Sequence, residues 1–170
     1  NNISINKATY SGGIIGYGLY NARVVSPTGQ LLRLNMLEEY AGIPHKRMLY
    51  NASKNNGNIE SVIQAGGLVG HSGGTNITYS ANTGNITLTG NSDLSYGAGG
   101  LIGLASSLTV TDSYNTGSIT SNQNAGGLLG STSINSLPAK LTATHCYNSG
   151  TIKGDGFSGG IAGYCHTASI

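Results

Sequence analysis

The chain has 170 residues, the size of one ordinary domain, and its formal net charge of +2 rests on charged residues that make up only 8% of it. Without a basic stripe it offers nothing to nucleic acid, and no apolar run approaches the roughly 18 residues of a membrane helix. Its 28 glycines lack the every-third spacing and abundant proline of collagen; regular Ile, Leu and Val argue equally against a flexible linker or a disordered chain.

Residues 1–10 are polar and strand-like rather than a signal peptide, as in a mature product or an excerpt of a longer chain. The first glycine signature follows. Gly-Gly-x-x-Gly, with apolar residues at x, runs over 12–16, 66–70, 99–103, 126–130 and 159–163, and the starts are 54, 33, 27 and 33 residues apart. Internal repetition of this kind marks units that stack because one unit cannot bury its own apolar face.

Between Tyr17 and Leu49 the glycine pattern lapses, and eight of the fourteen charged residues fall between Arg23 and Glu60. Residues 31–39 are rich in helix formers and follow Pro27-Thr28-Gly29. They predict a short helical insertion within about 21–48, ended before Gly42 and Pro44. Such an excursion caps the stack or serves as a docking surface.

A second signature alternates with the first. It reads Asn-Asn-Gly-Asn-Ile at 55–59, Asn-Thr-Gly-Asn-Ile at 82–86, Asn-Thr-Gly-Ser-Ile at 115–119 and Asn-Ser-Gly-Thr-Ile at 148–152. Tyr50, Tyr79, Tyr114 and Tyr147 precede these segments. Asn-x-Gly is turn chemistry, since Asn bonds its own backbone and Gly accepts unusual dihedrals. Alternating apolar residues such as Ile86 and Leu88, or Leu108 and Val110 with Leu141 in the next unit, put one strand face inward. The double glycine marks a corner where backbones approach closely.

These features predict an all-β fold over residues 1–170, a β-solenoid (β-helix) of glycine-rich repeats with one non-repeat excursion. Gly66, Gly67 and Leu68, then Gly99, Gly100 and Leu101, Gly126, Gly127 and Leu128, and Gly159, Gly160 and Ile161 are its repeat residues. Leu68, Leu101, Leu128 and Ile161 form one expected row, Ile59, Ile86, Ile119 and Ile152 a second, and the four tyrosines a third. A β-sandwich and a β-propeller are the competing folds; neither explains two signatures in strict order.

The phrases Gly-Gly-Leu-Val-Gly (66–70), Ser-Tyr-Asn-Thr-Gly-Ser-Ile-Thr (113–120) and Cys-Tyr-Asn-Ser-Gly-Thr-Ile-Lys (146–153) resemble GLUG-type repeats of large bacterial surface proteins. That family includes adhesins, filamentous haemagglutinin-like proteins and noncatalytic regions of immunoglobulin A peptidases. The resemblance covers about 50–163 and implies a stalk or binding segment outside any catalytic domain. It carries over no catalytic residue.

The chain's own chemistry points the same way. There is no His-Glu-x-x-His among His45, His71, His145 and His166. Asp93, Asp112, Asp155, Lys140 and Lys153 are spread out, whereas a glycan-cleaving site needs convergent groups. Any enzymatic centre would fall at Glu38, Glu39, His45, Lys46 and Arg47, which read first as a solvated face. We expect no enzyme, no cofactor and no metal, and the turn asparagines cap backbone rather than bind calcium.

Cys146 and Cys165 lie 19 residues apart near the C-terminal end and meet in a disulfide if the coil turns between them. On the chain-entropy estimate such a bond adds about 3 kcal/mol and suits an oxidising location. Two free, buried thiols and a zinc site with His145 and His166 are the alternatives. Asn2, Asn51, Asn76 and Asn85 head Asn-x-Ser/Thr sequons, as expected by composition.

The predicted function is an extracellular structural or adhesive repeat module at a bacterial cell surface. Its partners are neighbouring repeats or other copies, and host glycan or protein, with neither nucleic acid nor a transmembrane segment. The alternative is a self-assembling subunit of an extracellular filament, since open coil ends are strand edges that pair unless blocked.

Overall fold

The computed structural model describes residues 5–13, 15–18, 48–51, 53–90, 97–133 and 139–170. Its elements are all strands, and every pair among them is parallel.

The chain makes successive passages over the same path. The first comprises β1 (Ile5–Gly12), β2 (Ile15–Gly18), β3 (Met48–Asn51) and β4 (Lys54–Asn55). The second comprises β5 (Ile59–Gly66), β6 (Val69–Ser72), β7 (Thr75–Thr78) and β8 (Ala81–Asn82). From the third passage on, the long strand is split in two: β9 (Ile86–Leu88) and β10 (Gly97–Gly99), then β11 (Ile102–Ala105), β12 (Ser107–Thr111) and β13 (Tyr114–Asn115). The fourth repeats this as β14 (Ile119–Ser121), β15 (Asn124–Gly126), β16 (Leu129–Thr132), β17 (Lys140–Thr144) and β18 (Tyr147–Asn148). The fifth holds β19 (Ile152–Gly154), β20 (Ser158–Gly159), β21 (Ala162–Tyr164) and β22 (Thr167–Ser169).

Four sheets result, each drawing strands from every passage it spans. The eight-stranded sheet branches at β5, whose first half carries β9, β14 and β19 while its second carries β10, β15 and β20. The others run β2-β6-β11-β16-β21, β3-β7-β12-β17-β22 and β4-β8-β13-β18.

Register locates the inserts. Ile59 pairs with Ile86, 27 residues on, whereas Gln64 pairs with Gly97, 33 on, so six extra residues enter the third passage between Leu88 and Gly97. Leu129 is 27 after Ile102 but Leu141 is 33 after Leu108, which puts six more between Thr132 and Lys140. In the first passage Tyr17 pairs with His71, 54 on, and Met48 with Thr75, 27 on, so 27 extra residues leave between Gly18 and Met48. The predicted helical insertion at about 21–48 falls almost wholly outside the described residues, apart from Met48, the first residue of β3.

Two apolar clusters run through the stack. Leu68, Leu101 and Leu128 are fully buried beside Val69, Ile102, Leu129, Ile77, Leu108 and Leu141, and Ile161 packs on their end. Ile59, Ile86 and Ile119 line the second with Ala65, Ala98 and Ala125, and Ile152 packs against it. Truncating one such Leu or Ile costs about 2–5 kcal/mol, because stacked neighbours cannot close the gap.

The expected row of four tyrosines does not form. Tyr50 is in register with Ile77 and Tyr114 with Ala81, while Tyr79 lies outside the strands, exposed. Among the described side chains Tyr114 and Tyr147 stack, with ring centroids 5.1 Å apart and planes within 4°.

Candidate functional site

The asparagines of the second signature build the most ordered polar feature. Asn55, Asn82 and Asn115 are fully buried, and each points its carboxamide along the stack. Asn55 Nδ2 donates to Asn82 Oδ1 at 2.8 Å, Asn82 Nδ2 to Asn115 Oδ1 at 2.7 Å, and Asn115 Nδ2 to Asn148 Oδ1 at 2.7 Å. The second hydrogen of each amide closes its own turn, on the carbonyl of Gly57, Gly84, Gly117 or Gly150. An unpaired buried amide would cost about 1–3 kcal/mol, so this line is stable only as a whole. Among the described residues no buried side-chain polar atom lacks a partner.

The repeat glycines make room for that line. A Cβ on Gly67 would overlap the Gly100 carbonyl and the Asn82 side chain; on Gly100, the Gly127 carbonyl and Asn115; on Gly127, the Gly160 carbonyl and Asn148. The second glycine of these three pairs therefore packs against the amide of its own passage. The first serves the turn: a Cβ on Gly66, Gly99, Gly126 or Gly159 would strike the carbonyl three residues on. Gly103, Gly130 and Gly163 sit against the backbones of Ala65, Ala98 and Ala125 of the preceding passage, which brings strands of two different sheets to backbone distance across successive passages. Between passages, Leu68 N–H donates to Leu101 O, Leu101 to Leu128 O and Leu128 to Ile161 O, at 3.0, 3.0 and 2.8 Å.

A hydroxyl row runs beside the amides. Ser53 N–H donates to Ser80 Oγ at 3.1 Å and Ser80 N–H to Ser113 Oγ at 3.0 Å. Cys146 takes the next place, one residue before the paired Tyr114 and Tyr147, and its thiol donates to Thr144 O at 3.2 Å. Burial pushes the Cys146 thiol above its ordinary range. Cys165 follows β21 and donates to Thr167 O at 3.0 Å. Both cysteines are free thiols packed against the end of the leucine cluster, with no bond between them in this structure.

One corner keeps an uncommon backbone. Tyr79, Asp112 and His145 have φ of 49°, 48° and 52°, the left-handed region that side chains other than Asn, Asp and Gly occupy at a cost. His145 Nδ1 lies 3.3 Å from Asp112 Oδ1 on the surface, where such pairs add little.

The outer surface carries repeated hydroxyls and amides. Thr109 and Thr111 of β12 register with Thr142 and Thr144 of β17, and with Asn76 and Thr78 of β7. Asn58 Oδ1 accepts Asn85 N–H at 2.9 Å and Asn85 Oδ1 accepts Ser118 N–H at 3.0 Å. These rows are neutral, evenly spaced by the roughly 4.8 Å of strand pairing, and suited to hydrogen-bonding a polar ligand.

Of the titratable groups, His71 holds Gln64 Oε1 at 2.8 Å and burial lowers its pKa. His166, Lys140, Lys153, Asp112 and Asp155 lie on separate strands and turns. Glu38, Glu39, His45, Lys46, Arg47 and Asp93 fall outside the described residues. Among the described residues no group of three or more His, Cys, Asp or Glu is placed to hold a metal ion, and no helix is long and apolar enough to cross a membrane.

Reading the asparagines as turn caps found half of their role. The bond from one passage to the next was missed, although four Asn-x-Gly segments in one phase of the repeat are its signal. The serine row was missed too; Ser53, Ser80 and Ser113, each two residues before an asparagine, mark it.

A family model described as the GLUG motif matches residues 61–87, one passage from within β5 to within β9. No curated protein and no solved structure matches the chain.

Proposed function

We propose that this chain is an open β-solenoid segment, a noncatalytic structural and adhesive repeat module of an exported bacterial surface protein. The observation that carries the reading is the amide line Asn55–Asn82–Asn115–Asn148, which ties the first four passages together through 2.7–2.8 Å bonds. A line of buried, mutually satisfied amides makes a stiff body that lengthens by adding passages, which is what a stalk requires. The GLUG motif over 61–87 supports a repeat-bearing surface protein.

The adhesive part rests on the outer threonine rows. Hydroxyls at strand spacing on a neutral face suit oligosaccharides or polar protein surfaces. Titration of the chain against a panel of neutral and acidic oligosaccharides tests this. Saturable binding that Thr109→Lys and Thr142→Lys abolish, with the fold unchanged, supports the reading. No saturable binding to glycans or to intact host cells removes the adhesive half and leaves a spacer. Small-angle scattering tests the solenoid itself, whose five passages at strand spacing require a compact particle only about 20–25 Å tall along the stack.

A further inference from the structure

The corner that follows β7, β12 and β17 borders the threonine rows of the outer surface. Ile77, Val110 and Ala143 point into the core from these strands, so their neighbours on either side face outward. Two columns result, Asn76–Thr109–Thr142 and Thr78–Thr111–Thr144, and both cross the stack without a charge. Neighbours within a column are about 4.8 Å apart, and the columns are about 6.7 Å apart, two residues along the strand. The next residues are Tyr79, Asp112 and His145. Backbone bonds hold these corners in register: Tyr79 N–H donates to Thr111 O at 3.2 Å and Asp112 N–H to Thr144 O at 3.1 Å.

Three successive corners thus keep side chains at positive φ, where glycine costs nothing and the chain has 28 glycines. Packing gives no return for this. Tyr79 is exposed, and the Asp112–His145 pair lies on the surface, where it adds little. Strain held without a structural return gathers at ligand clamps.

We infer that this edge binds a neutral, extended polysaccharide laid along the stack, one sugar per passage. The two columns form the floor, and Tyr79, Asp112 and His145 stand along one side. An extended β-linked chain advances by close to one strand spacing per sugar and carries hydroxyls on both flanks of each ring, so each unit meets both columns. Threonine methyl groups meet the C–H face of the ring. The Asp112 carboxylate accepts hydroxyls and repels acidic chains, while the exposed Tyr79 ring offers a stacking face. The inference rests on the adhesive reading of the threonine rows and adds the ligand class, its direction and the corner residues.

Calorimetric titration of the full chain with β-1,4-linked glucose oligomers of two to six units is the test, with the α-1,4-linked hexamer, which coils, as the comparison. Affinity should rise about threefold with each added sugar through at least three units, and the α-linked hexamer should bind about tenfold more weakly than the β-linked one. Tyr79→Asn and Asp112→Asn suit the left-handed corner, so each should weaken binding about tenfold or more without lowering the denaturation midpoint. Four results would each overturn the inference and leave the adhesive reading standing: a hexamer no tighter than the dimer, equal affinity for the two linkages, binding indifferent to both variants, or no binding of the β-linked series while other oligosaccharides bind. No saturable binding by any oligosaccharide, neutral or acidic, would overturn both.

Discussion

One hydrogen of the Asn82 carboxamide binds the Gly84 carbonyl at 2.7 Å, and the other binds Asn115 Oδ1 at 2.7 Å, 33 residues further along the chain. The same group thus closes a local turn and couples two passages. Its oxygen accepts Asn55 Nδ2, so the coupling extends both ways. A side chain with only donors or only acceptors could not extend such a line. Asparagine is the shortest side chain that carries two donor hydrogens as well as an acceptor, one for the turn and one for the next passage.

Replacing Asn82 by Ala should therefore cost about 3 kcal/mol, because it orphans a donor on Asn55 and an acceptor on Asn115 in the core. Asn82→Asp should be worse, since it loses both donors and buries a charge facing the Gly84 carbonyl and Asn115 Oδ1. Urea denaturation measures both, with Asn85→Ala on the surface as the control. Equal midpoints for Asn82→Ala and the control would mean that the amide line adds nothing to stability.

Position in the stack should decide the effect of one glycine substitution. At Gly100 a methyl group overlaps the Gly127 carbonyl and Asn115, so Gly100→Ala should unfold the chain or cost several kcal/mol, about the range of severe overpacking. At Gly160, the same place in the last passage, the methyl group meets nothing, and Gly160→Ala should leave the melting temperature of the monomer within a degree or two, about the scatter of neutral surface changes. Thermal melts at low concentration compare them. Equal losses at the two sites would contradict the packing described.

The leucine and isoleucine rows were legible because each stands at a fixed distance from its own signature: Leu68, Leu101 and Leu128 directly after Gly-Gly, Ile59, Ile86 and Ile119 four after Asn. The tyrosines have no such fixed distance. Tyr50, Tyr79, Tyr114 and Tyr147 precede their asparagines by five, three, one and one residues, so only the last two share a register and stack. Counting from the nearest signature, not from residue type, separates the real rows from the false one. The inward amide line was hidden for another reason. Asn-x-Gly is turn chemistry in any protein, and only the passage stacked above reveals that the second amide hydrogen has a partner.

The left-handed corner should accept a better residue. Tyr79 holds φ at 49° with its side chain 68% exposed, so it suffers the steric cost without compensating burial. Tyr79→Asn should stabilise the fold by up to about 1 kcal/mol, since Asn adopts this region more readily. A drop in the denaturation midpoint would show that the exposed ring contributes more than its backbone costs.

Stability should fall in mild acid through His71. Burial holds its folded pKa below the ordinary 6.5, whereas the unfolded chain takes up its proton near that value. The contribution is therefore complete above about pH 6.5 and is lost as pH falls from there through the folded pKa. Denaturation midpoints measured across that range should decline, and His71→Gln should flatten the decline. A profile unchanged by His71→Gln would assign the acid sensitivity to other groups.

Cys146 occupies the place that serine holds in the two preceding passages. Ser80 and Ser113 each accept a backbone N–H from the passage before and donate to Thr78 or Thr111 two residues back. The Cys146 thiol makes the equivalent donation to Thr144, but sulfur is a weak acceptor for the incoming N–H. Cys146→Ser should thus raise stability by about 0.5–1 kcal/mol, the net worth of a hydrogen bond. Thiol titration of the unreduced, denatured chain should count two reactive groups before the substitution and one after it. In the folded chain, burial should slow alkylation of Cys146 at neutral pH, because less of it is thiolate. A disulfide to Cys165 reverses each expectation: no reactive thiol in the unreduced chain, and a loss of about 3 kcal/mol on Cys146→Ser.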